Sequence, residues 1–228
     1  MGSIPENLQA VKGRIAAAAR AARRDPDSVV LLAVSKTQPA ARIEAAWRAG
    51  QRAFGENYVQ EALDKMAQLA GLPIEWHLVG PLQSNKTRAV AERFDWVHTV
   101  DREKVARRLS EQRPAVRPPL NVLVQVNVSG EASKSGVAPA EAPALADAVA
   151  ALPRLRLRGL MAIPEPGAPA ARYRALGELF ERLCATHGVD TLSLGMSEDL
   201  ETAIAAGSTM VRVGTAIFGP RERVRSAA

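Results

Sequence analysis

Strand-like and helix-like segments alternate eight times along the chain. This predicts an α/β protein whose parallel strands close into one (β/α)8 barrel, with an extra helix in front. Three observations carry that expectation. The strand-like runs are short, apolar and rich in branched side chains, as in Val29–Val34 and Leu120–Val128, which suits strands covered on both faces. Each run leaves through a loop and is followed by apolar residues at helical spacing. No compositional break interrupts the 228 residues, so 1–228 reads as a single domain, TIM-like and small for the class. A doubly wound open sheet is the competing arrangement; eight units favour closure.

The extra helix covers residues 5–24. Pro5 suits its first turn, and Leu8, Val11, Ile15, Ala18 and Ala22 recur at helical spacing. Asp25-Pro26-Asp27 breaks the chain before the first strand, Val29–Val34, which ends in Ser35-Lys36-Thr37. After Pro39 an alanine-rich helix runs to Ala49 and stops at Gly50, a glycine placed to end it. The second unit is the strand Gln51–Phe54, the exit loop Gly55-Glu56-Asn57 and the helix Tyr58–Leu69, ending near Gly71. The third strand is Ile74–Val79, and Ser84 can cap a helix over Asn85–Arg93. Trp96–Val100 is the fourth strand, with Asp101 as cap of the next helix. Leu120–Val128 is the fifth; its exit, Ser129–Gly136, carries Lys134, and a helix follows over Pro139–Leu152. The sixth strand, Leu155–Leu160, leaves through Met161-Ala162-Ile163-Pro164 into a long helix over Ala170–His187. Thr191–Leu194 is the seventh, and Gly195-Met196-Ser197 opens a helix that Ser197 caps and Gly207 ends. Met210–Val213 is the eighth, followed by Gly214-Thr215 and a short helix or turn ending near Arg225.

Composition narrows the classes. The net charge is +6, but the basic residues are scattered along helices with no dense or aromatic-interleaved block, so neither nucleic acid nor a membrane surface is an expected partner. Cys184 is the single cysteine, which excludes an intramolecular disulfide and a cysteine metal site and suits a reducing compartment. No run approaches a membrane span and no cleavable leader is evident. The expectation is a cytoplasmic monomer without a metal.

The chemistry concentrates at strand exits. Lys36 leaves the first strand at the carboxyl end, where α/β barrels place their ligands, and a desolvated lysine can act as a nucleophilic amine. Gly195-Met196-Ser197 and Gly214-Thr215 follow the last two strands, where barrels of this kind often bind phosphate; helix capping explains the hydroxyls equally well. Closure makes the eighth strand a neighbour of the first, so a phosphate and an amine would share one rim. Two classes follow: a pyridoxal phosphate protein, or a Schiff-base aldolase acting on a sugar phosphate. Arg212, a charge within the apolar eighth strand, is either salt-bridged outside or aimed at a ligand atom such as a pyridine nitrogen.

Seven stretches carry a family resemblance. They are Leu32-Ala33-Val34-Ser35-Lys36, Phe54 to Glu61, Trp76 to Lys86, Val126-Asn127 with Lys134-Ser135-Gly136, Gly159-Leu160-Met161, Leu194 to Asp199, and Val211 to Gly219. In this order they make the chain similar, over nearly its whole length, to the pyridoxal phosphate homeostasis protein family. The resemblance implies a fold like the barrel of alanine racemase and pyridoxal 5′-phosphate held by Lys36 as a Schiff base. It implies that Ser197, Gly214 and Thr215 bind the phosphate, that Arg212 faces the pyridine nitrogen, that Asn57 lies near the ring and that Met161 packs on the cofactor. Asn57 could equally cap its helix, and Met161 could equally be core. His77 and Tyr58 are doubtful site residues, and Lys134 is carried as a secondary amine or a solvated loop lysine.

The expected role is a carrier or buffer of pyridoxal phosphate that supplies apo-enzymes. The alternative is a racemase or decarboxylase of low activity. A guanidinium cannot accept the pyridinium proton, so the ring nitrogen beside Arg212 would stay unprotonated and serve poorly as an electron sink. The chain also ends about a dozen residues after the eighth strand, without room for the second domain of such enzymes. No catalytic residue is assigned firmly.

Overall fold

The computed structural model describes residues 2–131 and 134–220. Eight parallel strands, hydrogen-bonded in chain order, close into a barrel: β1 (Val30–Val34), β2 (Ala53–Glu56), β3 (Glu75–Leu78), β4 (Trp96–Val100), β5 (Leu120–Val126), β6 (Leu155–Ala162), β7 (Thr191–Ser193) and β8 (Met210–Val213). Closure is made by β1 against β8, with Leu32 opposite Arg212 and Ala33 opposite Val213. The expected closed barrel is therefore the architecture, and the open sheet is excluded.

The extra helix is α1 (Ile4–Ala21), begun by a Ser3–Glu6 capping box that satisfies two amides reciprocally. Eight further helices lie among the described residues: α2 (Ala40–Arg48), α3 (Val59–Gln68), α4 (Thr87–Arg93), α5 (Glu103–Gln112), α6 (Ala142–Ala150), α7 (Ala170–His187), α8 (Leu200–Ala205) and α9 (Thr215–Phe218). Their apolar faces join the outward faces of the strands in one shell, including Ile43, Leu109, Val149, Leu176 and Ile204. No described helix is long and apolar enough to cross a membrane. The expected turn near Arg225 lies outside the described residues.

Several expected boundaries and caps move. β2 is shifted two residues later, so Gly55 and Glu56 belong to the strand, where ladder bonds to β3 hold them. β6 extends through Met161 and Ala162 because β5 pairs with it that far, whereas β5 itself ends at Val126. Ser84 lies in a 3-10 turn over Ser84–Lys86, and its carbonyl accepts from the Thr87 hydroxyl. Asp101 pairs with Arg102 at 2.8 Å and makes no cap. Helix α8 begins after Asp199, so Ser197 does not cap it, and α3 has no side-chain cap, which removes that alternative for Asn57.

Candidate functional site

At the carboxyl end of the strands a cavity of about 710 Å³ opens, a volume suited to a cofactor-sized ligand. Six of the seven expected binding residues line it: Lys36, Asn57, Ser197, Arg212, Gly214 and Thr215. Met161 does not reach the cavity wall; it is wholly buried in the barrel interior with Trp96 and Leu123. Lys134 lines the cavity, its ammonium 2.8 Å from Glu131 and 3.1 Å from the Ser129 hydroxyl. Tyr58 is largely exposed and His77 is buried inside the barrel, both away from the wall.

Lys36 is half-buried, two residues beyond β1, between two backbone anchors. On one side, Ser35 donates its hydroxyl to Glu56 Oε1 at 2.6 Å, and its carbonyl accepts from Lys65 at 2.8 Å. On the other, Thr37 has φ 63°, a left-handed conformation that a β-branched residue rarely holds. Its amide donates to Glu61 Oε1 at 2.6 Å. Lys65, bonded to Glu56 at 2.8 Å and Glu61 at 2.5 Å, ties both anchors together; Lys65 and Glu56 are buried, and Glu61 lies at the edge, 28 % exposed. Burial raises the Glu56 carboxyl above its ordinary range, against the pull of Lys65 and Ser35. The strain at Thr37 is thus held by a buried ionic clamp that presents Lys36 to the cavity.

Two close backbone approaches shape the rim. A Cβ on Gly214 would sit 2.9 Å from the Val34 carbonyl oxygen, so glycine lets the exit of β8 press against that of β1. A Cβ on Gly80 would sit 2.1 Å from the Asn57 carbonyl oxygen, which makes glycine the seat for the Asn57 loop. The loop after β7 is braced differently. Asp199 accepts from the Met196 amide at 2.6 Å and from the Tyr173 hydroxyl at 2.7 Å, and Arg14, paired with Glu201, donates to the Ser197 carbonyl. Burial and the Asp199 carboxylate raise the Tyr173 phenol well above its ordinary range. Neither Ser197 nor Thr215 caps a helix with its hydroxyl, and both residues line the cavity. At the start of α9 the Ile217 and Phe218 amides both donate to the Gly214 carbonyl at 2.9 Å, whereas the Thr215 and Ala216 amides precede the first bond of the helix.

Arg212 is 5 % exposed. Nη1 donates to the Ser193 carbonyl and hydroxyl, both at 2.7 Å, and Nη2 to the Ala162 carbonyl at 2.8 Å. Burial lowers its pKa to about 10, with Asp199 opposing, so it stays cationic at neutral pH. The outward salt bridge weighed for Arg212 does not form: the side chain points inward. Among the described residues no group of three His, Cys, Asp or Glu side chains could hold a metal ion.

Glu56, Lys65, Asp199 and Ser193 were not singled out by their sequence context. A carboxylate following Phe54-Gly55 looks like a loop residue until the β2–β3 register puts it inside.

Residues 7–222 match the family model described as alanine racemase, N-terminal domain. The chain is 63 % identical to the pyridoxal phosphate homeostasis protein of Pseudomonas aeruginosa, over 97 % of each chain. It is 57 % identical to the protein of that name from Escherichia coli, over 97 % of this chain and 98 % of the other. Among solved structures it is similar to PipY of Synechococcus elongatus with PLP bound, with a TM-score of 0.83 and 38 % identity over 95 % of this chain and 100 % of that one.

Proposed function

This chain belongs to the alanine racemase N-terminal domain family and to its pyridoxal phosphate homeostasis proteins, and from that premise we propose that it binds pyridoxal 5′-phosphate as an intracellular carrier or buffer. One observation carries the reading. An amine (Lys36), two hydroxyls (Ser197 and Thr215) and a buried guanidinium (Arg212) face one cavity across adjoining strand exits.

The donor set fits the group. Ser197, Thr215 and the opening amides of α9 match a phosphate, and Arg212 offers donors but no acceptor to the pyridine nitrogen. Lys36 would hold the cofactor's aldehyde through its side-chain amine. When bound, the cofactor is a reactive aldehyde whose ring can delocalise negative charge. Arg212, charged at neutral pH and able only to donate, would give the ring nitrogen no acceptor for a proton, which favours holding over turnover. The clamp around Lys36 keeps the amine aimed at the cavity. In this reading residues 1–228 act as one domain, as a cytoplasmic monomer that passes its cofactor to apo-enzymes.

The test is an absorbance spectrum of purified protein mixed with pyridoxal phosphate, before and after borohydride reduction, with peptide mapping of the label. Reduction should fix one label at Lys36, and Lys36→Ala should lose the visible band while keeping its fold. A label elsewhere moves the site. Turnover of added amino acids by the loaded protein would replace the carrier reading with the racemase or decarboxylase.

A further inference from the structure

Parallel barrels are normally filled with layers of branched apolar side chains. Here five polar side chains cross the interior in an unbroken series. Glu75 opens β3 at the end of the barrel away from the cavity, its side chain 48 % exposed, and its Oε1 lies 2.8 Å from His77 Nε2. His77 Nδ1 is 2.9 Å from His98 Nε2 on β4, and His98 Nδ1 is 3.0 Å from Ser193 Oγ on β7. Ser193 Oγ is 2.7 Å from Arg212 Nη1 on β8. His77, His98 and Ser193 are wholly buried.

One placement of protons satisfies every link. A guanidinium only donates, so Ser193 Oγ accepts from Arg212, and its own proton goes to His98 Nδ1. The neutral His98 ring then carries its proton on Nε2 and donates to His77 Nδ1. His77 likewise carries its proton on Nε2 and donates to the Glu75 carboxylate. The reverse order would set a bare His77 nitrogen against a carboxylate and leave the Ser193 hydroxyl proton idle. Burial lowers the pKa of both imidazoles, His98 the further, which suits neutral rings. Trp96 stacks on His77 with centroids 5.1 Å apart and planes 8° apart, and Arg158 covers the Trp96 ring at 4.5 Å, fixing the plane of the first imidazole.

We infer that Glu75, His77, His98 and Ser193 form a positioning relay for Arg212, a one-way series of hydrogen bonds that sets how the guanidinium faces the cavity. Three of its five N–H donors are committed to Ser193 and Ala162, and the side chain so held lines the cavity. A polar series this deep gives no stability advantage over apolar packing unless every member is satisfied, and here every link is made. Its consequence for the cofactor rests on the reading that Arg212 faces the pyridine nitrogen.

The experiment uses the full, ligand-free chain labelled with nitrogen-15 in histidine and arginine. Long-range proton–nitrogen spectra near pH 7.5 should show His77 and His98 neutral with the proton on Nε2. A cationic ring, or a proton on Nδ1, overturns the relay. Glu75→Ala, at the exposed end, should shift both rings and move or broaden the Arg212 side-chain signals, although Glu75 does not touch Arg212. Glu75→Gln keeps an acceptor and should restore them. Ser193→Ala and Ser193→Thr repeat the comparison at the middle of the series. Arg212 signals unmoved in both alanine variants overturn the relay. In pyridoxal phosphate titrations Glu75→Ala should raise the dissociation constant roughly five- to tenfold, about the worth of one hydrogen bond, with recovery in Glu75→Gln. If the unaltered chain takes up no pyridoxal phosphate, the cofactor reading fails on its own, and the ligand-free spectra still decide the relay.

Discussion

Replacing Lys65 by methionine removes the ammonium at the centre of the clamp beside Lys36 and keeps most of the apolar stem. Lys65 Nζ contacts Glu56 Oε1 at 2.8 Å, Glu61 Oε1 at 2.5 Å and the Ser35 carbonyl at 2.8 Å. Without it the Glu56 carboxyl, 0 % exposed and with Oε2 already unpartnered among the described residues, keeps only the Ser35 hydroxyl. Breaking a buried pair by removing one partner costs about 3–5 kcal/mol. Glu56 can relieve part of this by taking up a proton, which burial already favours, so the expected loss is about 3 kcal/mol. At roughly 2–4 °C per kcal/mol for a chain of this size, Tm should fall by about 6–12 °C. Urea and thermal unfolding measure the loss, and adding Glu56→Gln to Lys65→Met should recover part of it through the coupling of neighbours. The same variant should weaken retention of pyridoxal phosphate, because Glu61, which accepts from the Thr37 amide at its strained φ, loses the ammonium that fixes its carboxylate. A stability loss below about 1 kcal/mol would refute the reasoning, showing that desolvation of the cluster cancels its attraction.

Ser197→Ala and Thr215→Ala should each weaken pyridoxal phosphate affinity about three- to tenfold without removing the label at Lys36, by equilibrium titration and peptide mapping, since each deletes one hydroxyl donor. Gly80→Ala should displace the Asn57 loop and cost about 1–3 kcal/mol in urea unfolding, because the new Cβ would overlap a backbone carbonyl. Stability should also depend on pH. His77 and His98 have folded pKa values below the ordinary 6.5, so their contribution is present above that pH and is lost as pH falls below it. Glu56 is shifted upward and acts in the opposite sense, one proton against two. Unfolding free energy should therefore drop by about 1–3 kcal/mol per pH unit below pH 6.5, and a flat profile between pH 7.5 and 5.5 would contradict neutral buried rings.

Much of the site was legible because strand exits are punctuated in sequence. An apolar run ending at Lys36, and glycine-hydroxyl pairs after β7 and β8, mark the rim whatever the rest of the fold does. Met161 was read as a strand exit from its position alone, whereas pairing with β5 makes it part of β6, buried beside Trp96 and Leu123. Ser197 and Asp101 were read as caps from residue type alone. The helices begin later, so Ser197 keeps its hydroxyl free of capping and Asp101 turns to Arg102.

By itself the sequence determined the barrel, the order of its units, Lys36 and Arg212 as the charged groups at one end, and the family. Each follows from local pattern: alternation, turn residues and contiguous motifs. The tertiary structure alone decided which polar residues become partners. Glu56 meets Lys65 because β2 runs two residues further than its pattern suggests, and Glu75 reaches Arg212 only through His77, His98 and Ser193. Those contacts join positions far apart in the chain across a closed sheet. Their free energies depend on register and desolvation, which no single segment encodes.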